Sequence, residues 1–142
     1  MSPTPLDGAD HVVRYCRPRT VDSQGRVTSA AFVFRTTPNR EHFLSVNWLE
    51  YFQAATRKER VRLLRELLGR KLRLSQKGRL GVLQVGCVRG LAQDSATDSV
   101  RVERHPSHDD HSHAGIHVAS EQEVAAAVVL ANLVEEVFPG TG

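Results

Sequence analysis

Histidine is concentrated in one short stretch of this chain. Five of its seven histidines lie between positions 105 and 117: His105, His108, His111, His113 and His117. Neutral imidazole is the commonest transition-metal ligand, and histidine is the side chain that titrates nearest to physiological pH. Asp109 and Asp110 lie in the same stretch and could complete a ligand set of nitrogen and oxygen atoms. The stretch 105–117 therefore indicates metal binding or proton transfer more strongly than any other part of the sequence.

Two chemical roles follow from this spacing. His111 and His113 would project from the same side of an extended segment, so His108, His111 and His113 are candidate ligands for zinc or another divalent metal. In a catalytic role, His113 would be the base or a ligand, oriented by Asp110, with His105 as a second group across the loop. Such a site would suit a metal-dependent hydrolase acting on a phosphodiester-type substrate.

The same stretch also has simpler explanations. It contains no His-Glu-x-x-His pattern, and the chain has no paired Cys-x-x-Cys. A single loop loses much conformational entropy when it wraps around an ion, and exposed loops rich in His and Asp are often only solvated. His113 could equally be a buried imidazole that is hydrogen-bonded to the backbone. The sequence leaves these alternatives open.

A second candidate surface is the basic segment 57–79. It carries ten Lys or Arg residues against Glu59 and Glu66, a local balance of +8, so the rest of the chain must sum to −5 for the net charge of +3. The residues expected to contact a partner are Arg57, Lys58, Arg62, Arg65, Arg70, Lys71 and Arg73. Arginine favours bidentate contacts with phosphate or carboxylate groups.

Several partners fit a basic segment of this kind. A nucleic acid, an acidic protein, or the Glu-rich C-terminal helix of a second copy in a homo-oligomer would each complement it, and a merely solvated face is the plainest alternative. The leading hypothesis is a small binding module that docks an acidic partner, protein or nucleic acid, through an Arg-rich helix. The metal-dependent hydrolase is the alternative, and the sequence does not decide whether the chain is an enzyme.

Local patterns predict the elements that carry these residues. The capping box Thr56-x-x-Glu59 precedes an apolar stripe and predicts a helix over about 56–70. A second box, Ser120-x-x-Glu123, predicts a helix over about 121–137. Strands are predicted at 11–16, 30–35, 43–46, 80–88, 100–104 and 114–118, with a helical turn after Trp48 and a polar turn at 93–98.

The order of these elements predicts an α+β fold. Strands come in runs without a clear βαβ repeat, which favours a mainly antiparallel sheet with the two helices packed on one face. We expect residues 1–10 to be a disordered lead-in and residues 11–140 to form a single domain. The two cysteines lie in apolar runs, and the chain shows neither a signal-peptide pattern nor an apolar run near the length of a membrane span. A cytoplasmic protein with reduced thiols is therefore expected.

Overall fold

The computed structural model describes residues 4–36, 40–91 and 100–142. Within them, the strands are β1 His11–Cys16, β2 Leu44–Trp48, β3 Arg79–Gln84, β4 Arg101–Arg104, β5 His113–His117 and β6 Glu136–Pro139. The helices are α1 Arg57–Lys71, α2 Val85–Arg89 and α3 Glu123–Leu133. The strands form one sheet in the order β4-β5-β2-β1-β3-β6, and every neighbouring pair is antiparallel. The predicted α+β class and antiparallel sheet are confirmed.

The two long helices lie on opposite faces of the sheet, not on one face as expected. Successive residues of a strand point to opposite faces, and Val12 and Val13 of β1 belong to different cores. The Val12 core is closed by α3 and by a 3-10 turn at Ser29–Phe32, whereas the Val13 core is closed by α1. The physical reason is that β3 is apolar on both of its faces, so each face requires a cover.

Two predicted elements end earlier than their local patterns indicate. The run 80–88 is strand only as far as Gln84, and the short helix α2 follows it directly. The C-terminal helix stops at Leu133 rather than 137, because residues 136–139 pair with β3 as β6. Pairing across the sheet thus overrides a helical pattern that is continuous in sequence.

Of four further local predictions, two are confirmed and two are wrong. Thr56 is confirmed as the N-cap of α1, since its Oγ1 accepts a hydrogen bond from the amide of Glu59 at 3.2 Å. The Ser120 box does not cap α3, because Ser120 begins a 3-10 turn and Gln122 precedes the helix without a side-chain cap. The predicted strand 30–35 is also not formed, and its first residues make the 3-10 turn Ser29–Phe32. The helical turn after Trp48 is confirmed as Leu49–Tyr51.

The described part of the segment 1–10 packs beside β4. Leu6 is buried, and its amide donates to the carbonyl oxygen of Val102 at 2.9 Å. The amide of Arg104 donates in turn to the carbonyl oxygen of Thr4 at 2.8 Å. This segment therefore shields the outer edge of β4. The polar turn predicted at 93–98 lies outside the described residues, and none of the helices described is long and apolar enough to cross a bilayer.

Candidate functional site

The histidine-rich stretch is the hairpin formed by β4, its loop and β5. Glu103 pairs with Gly115, and the amide of His105 donates to the carbonyl oxygen of His113 at 2.8 Å. Alternate residues of paired strands share a face, so Glu103, His105, His113 and His117 all project from the same side of the hairpin. This is the half of that sheet face that α1 does not cover.

Aromatic rings pack directly over the backbone of Gly115. A Cβ at this position would stand 2.5 Å from Cδ2 of Phe43 and 3.0 Å from Cδ2 of His105. The Phe43 ring stacks on His105 with centroids 4.5 Å apart and planes 12° apart, and its centroid is 5.1 Å from that of His117. The missing side chain of Gly115 therefore lets both imidazoles pack closely against one phenyl ring.

Two of the imidazoles meet beside a buried carboxylate. The Nε2 atoms of His105 and His117 are 2.8 Å apart, and Oε1 of Glu103 lies 3.5 Å from Nε2 of His117. Burial lowers the pKa of His105 and of His117, which keeps both rings neutral near neutral pH. The three groups offer donor atoms that all lie within 4.8 Å of one another, so they could hold a metal ion.

The other histidines of the hairpin are placed differently. Nδ1 of His113 lies 3.0 Å from the carbonyl oxygen of His105, and this contact requires His113 to carry its proton on Nδ1. His108 and His111 are exposed in the loop, and neither belongs to the convergent set of Glu103, His105 and His117. The candidate metal ligands His108, His111 and His113 are therefore not brought together by the hairpin.

Asp110 also has other partners than the one predicted for it. Its carboxylate is 1% exposed and accepts hydrogen bonds from Nδ2 of Asn47 at 2.8 Å and from Oγ of Ser112 at 2.6 Å. Nζ of Lys71 lies 3.3 Å from the same group. Asp110 thus ties the hairpin loop to β2 and to the end of α1, whereas the ring of His113 bonds to backbone.

The residues predicted to contact a partner on α1 fall into two groups. Four of them are engaged within the chain: Arg57 with Glu135 and Glu136, Arg62 with Glu66, Arg65 with the carbonyl oxygen of Pro139, and Lys71 with Asp110. Lys58, Arg70 and Arg73 are exposed, and within the described ranges none of these three forms an ion pair. Two of the C-terminal glutamates expected to meet a second copy, Glu135 and Glu136, are therefore paired with Arg57 of the same chain.

A basic cleft opens where α1 ends. It encloses about 920 Å³ between the last turn of α1 and the segments 14–20 and 30–35. Its charged lining consists of Arg14, Arg17, Arg19, Arg35 and Lys71 with Glu41 and Asp110, and its apolar lining includes Val33, Leu68 and Leu72. Arg14 is held rigidly, because its guanidinium donates to the carbonyl oxygens of Ala31 and Ser45, both at 2.8 Å.

No protein-family model matches this chain, and neither the curated proteins nor the solved structures give a significant match. Its function is therefore inferred from the geometry of the hairpin and of the cleft.

Several residues of the hairpin site and of the cleft were not predicted from the sequence. Glu103 alternates with Arg101 in β4, and its place two residues before His105 is the signal that could have grouped it with the histidines. Arg17 and Arg19 flank Pro18 directly after β1, far in sequence from the basic segment 57–79. Arg17 and Arg19 share one surface with Lys71 only because the end of α1 packs beside this segment.

Proposed function

We propose that this chain is a binding module that holds an acidic segment of a partner protein in the basic cleft. The observation that supports this most strongly is the lining, in which five cationic side chains face Glu41 and Asp110. Asp110 is hydrogen-bonded and paired with Lys71, so these two charges largely offset each other and the positive balance of the lining comes from its arginines. Arginine predominates among the cations, which suits bidentate recognition of carboxylates.

The apolar part of the lining favours a protein segment over a nucleic acid. Val33 is 58% exposed and Leu72 is 40% exposed, so leucine-like side chains of a partner would find contacts between the arginines. Single-stranded nucleic acids need accessible rings for stacking, but the hydroxyl of Tyr15 is bonded to the amide of Ser75 and its ring packs against the α1 core. A duplex is read by protruding helices or ribbons, whereas this surface is concave.

In this proposal α1 supplies one wall of the cleft and not its whole basic face. Leu68, Lys71 and Leu72 come from its last turn and its C-cap, while Arg57, Arg62 and Arg65 are used for contacts within the chain. The proposal includes a cytosolic location, which is supported by Cys16 and Cys87 both being free thiols.

Fluorescence anisotropy tests the proposal with a labelled peptide that alternates Glu and Leu, and with a single-stranded oligonucleotide of equal charge as the second probe. We expect saturable peptide binding that weakens as salt is added. The double variant Arg17→Glu, Arg19→Glu should lower the affinity at least about tenfold, because each hydrogen bond to a charged group contributes roughly 1.5–3 kcal/mol.

The matched control is Lys58→Glu, Lys77→Glu, which makes the same change in net charge at two exposed positions outside the cleft. An equal loss of affinity in both double variants would show that only overall charge matters and would refute a cleft site. Tighter binding of the oligonucleotide than of the peptide would instead favour a nucleic acid as the partner.

The alternative function, a metal-dependent hydrolase, now depends on ligands that differ from the predicted ones. His108 and His111 are exposed in the loop, whereas Glu103, His105 and His117 converge. Metal binding by that convergent set is the first requirement of any such activity, and it can be tested separately from catalysis.

A further inference from the structure

We propose that Glu103, His105 and His117 together bind one divalent transition-metal ion of the Zn²⁺ class. Two imidazole nitrogens and one carboxylate oxygen form a donor set that zinc accepts, with the fourth position left to water or another ligand. Mg²⁺ and Ca²⁺ prefer shells made of oxygen atoms, so the two imidazoles favour a softer ion. This inference does not depend on the peptide cleft.

The donor atoms are already close to the spacing that one ion requires. Zinc lies about 2.0–2.2 Å from such ligands, so two ligand atoms of a tetrahedral ion are roughly 3.4 Å apart. Oε1 of Glu103 and Nε2 of His117 are 3.5 Å apart, whereas the two Nε2 atoms of His105 and His117 are 2.8 Å apart. The two Nε2 atoms therefore need to separate by roughly 0.6 Å. The donor atoms of Glu103 and His105, which lie within 4.8 Å of each other, must reach the same spacing of roughly 3.4 Å.

The contact between the two rings also defines what binding must change. At 2.8 Å the two Nε2 atoms share a hydrogen bond, so one ring donates Nε2–H and the other accepts. Coordination needs a lone pair on both atoms, so the donating ring must take the tautomer that carries its proton on Nδ1.

The surroundings hold the ligands in place before an ion arrives. The three donors come from paired strands and the residue that follows β4, so the backbone loses far less entropy on binding than a free loop would. Phe43 stacks on His105 and touches the space above Gly115, which fixes the tilt of the ring. Arg101 lies with Nη1 3.2 Å from Oε1 of Glu103 and balances its charge when no ion is bound.

Metal titration of tag-free protein tests the site, with Zn²⁺ followed by calorimetry and Co²⁺ by visible absorption. We expect one ion per chain. His117→Ala and the isosteric Glu103→Gln should each weaken binding by at least the roughly 10–100-fold that loss of an outer-shell partner costs. His108→Ala and His111→Ala are the matched controls, since they remove exposed imidazoles of the same hairpin, and they should leave the affinity unchanged.

A second readout needs no substitution and covers the case in which His117→Ala does not fold. In the imidazole NMR spectrum of the wild-type chain, Zn²⁺ should move the Cε1–H signals of His105 and His117 and leave those of His108 and His111 in place. The absence of saturable binding would overturn the proposal. So would signal changes, or a loss of affinity on substitution, that are confined to His108 and His111.

Discussion

Replacing Asp110 by Asn tests the buried network that joins the hairpin loop to α1. The carboxylate accepts hydrogen bonds from Nδ2 of Asn47 at 2.8 Å, from the amide of Ser112 at 3.0 Å and from Oγ of Ser112 at 2.6 Å. Asparagine has nearly the same shape, but its NH₂ group cannot accept a hydrogen bond. At least one buried donor therefore loses its acceptor in Asp110→Asn.

These contacts determine how much stability Asp110→Asn should lose. A hydrogen bond to a charged group contributes about 1.5–3 kcal/mol, and a buried donor left without a partner costs about 1–3 kcal/mol. The Lys71 side chain is 31% exposed, so solvent screens its ion pair with Asp110 and the pair contributes little to the free energy of unfolding. The free energy of unfolding should fall by about 3 kcal/mol, which corresponds to a drop of roughly 6–12 °C in Tm for a chain of this size.

The loss of stability in Asp110→Asn should also depend on pH, and the contacts of Asp110 determine the direction of this dependence. Burial alone would raise the pKa of Asp110, but the hydrogen bonds from Ser112 and Asn47 and the charge of Lys71 lower it below the ordinary 3.8. A carboxyl with a lowered pKa in the folded state stabilises the fold above its ordinary pKa, and this stabilisation is lost as the pH falls through the folded value. The difference between wild type and Asp110→Asn should therefore be complete near neutral pH and shrink below about pH 4.

Urea unfolding at neutral and at acidic pH measures this difference. Asp109→Asn is the control, since it removes the same charge from the neighbouring residue, whose side chain is 65% exposed. That control should change the unfolding free energy by no more than about 0.5 kcal/mol. A loss in Asp110→Asn as small as in the control, or a loss that stays constant from neutral to acidic pH, would refute the reasoning.

Three further predictions concern glycines and thiols. Gly69→Ala should stabilise α1 by about 0.5–1 kcal/mol, because its Cβ would meet nothing within 4 Å, and a lower Tm would contradict this. Gly115→Ala should cost roughly 1–3 kcal/mol, because its Cβ would stand 2.5 Å from the Phe43 ring, and an unchanged Tm would contradict it. A disulfide reagent should modify the exposed Cys87 in the native chain and Cys16 only after denaturation, since burial raises the pKa of Cys16 to about 11. Reaction of both native thiols at equal rates would argue against this burial.

The parts of the fold that sequence patterns predicted correctly are those decided over a few residues. The Thr56 cap and the apolar stripe of α1 act within one or two helical turns, and β1 stands out by its β-branched and aromatic residues. The strand β6 could not be found in this way. Its residues continue the pattern of α3, and they become a strand because Glu135 donates its amide to Val82 and the chain then pairs with β3.

The grouping of histidines shows the same limit at the level of a site. Sequence spacing selected His111 and His113, which are neighbours along the chain, whereas the structure joins His105 and His117, which are separated by the whole loop. This meeting depends on the register of β4 with β5 and on the empty space above Gly115. Neither the pairing register nor the ring of Phe43 can be read from the composition of the stretch itself.

The local charge balance of α1 likewise leaves out ion pairs that form only in the folded chain. The carboxylates that neutralise its N-terminal half include Glu50, Glu135 and Glu136, which are distant in sequence and so do not enter the local balance of +8. Of the three predicted contact residues that form no ion pair within the described ranges, Lys58 lies in the first turn of α1, whereas Arg70 and Arg73 lie near its C-terminal end. Neither Arg70 nor Arg73 lines the cleft itself, but both add positive charge at the end of α1 where Lys71 lines it. The acidic partner proposed above would therefore meet more positive charge without an ion pair at that end of the helix than at its first turn.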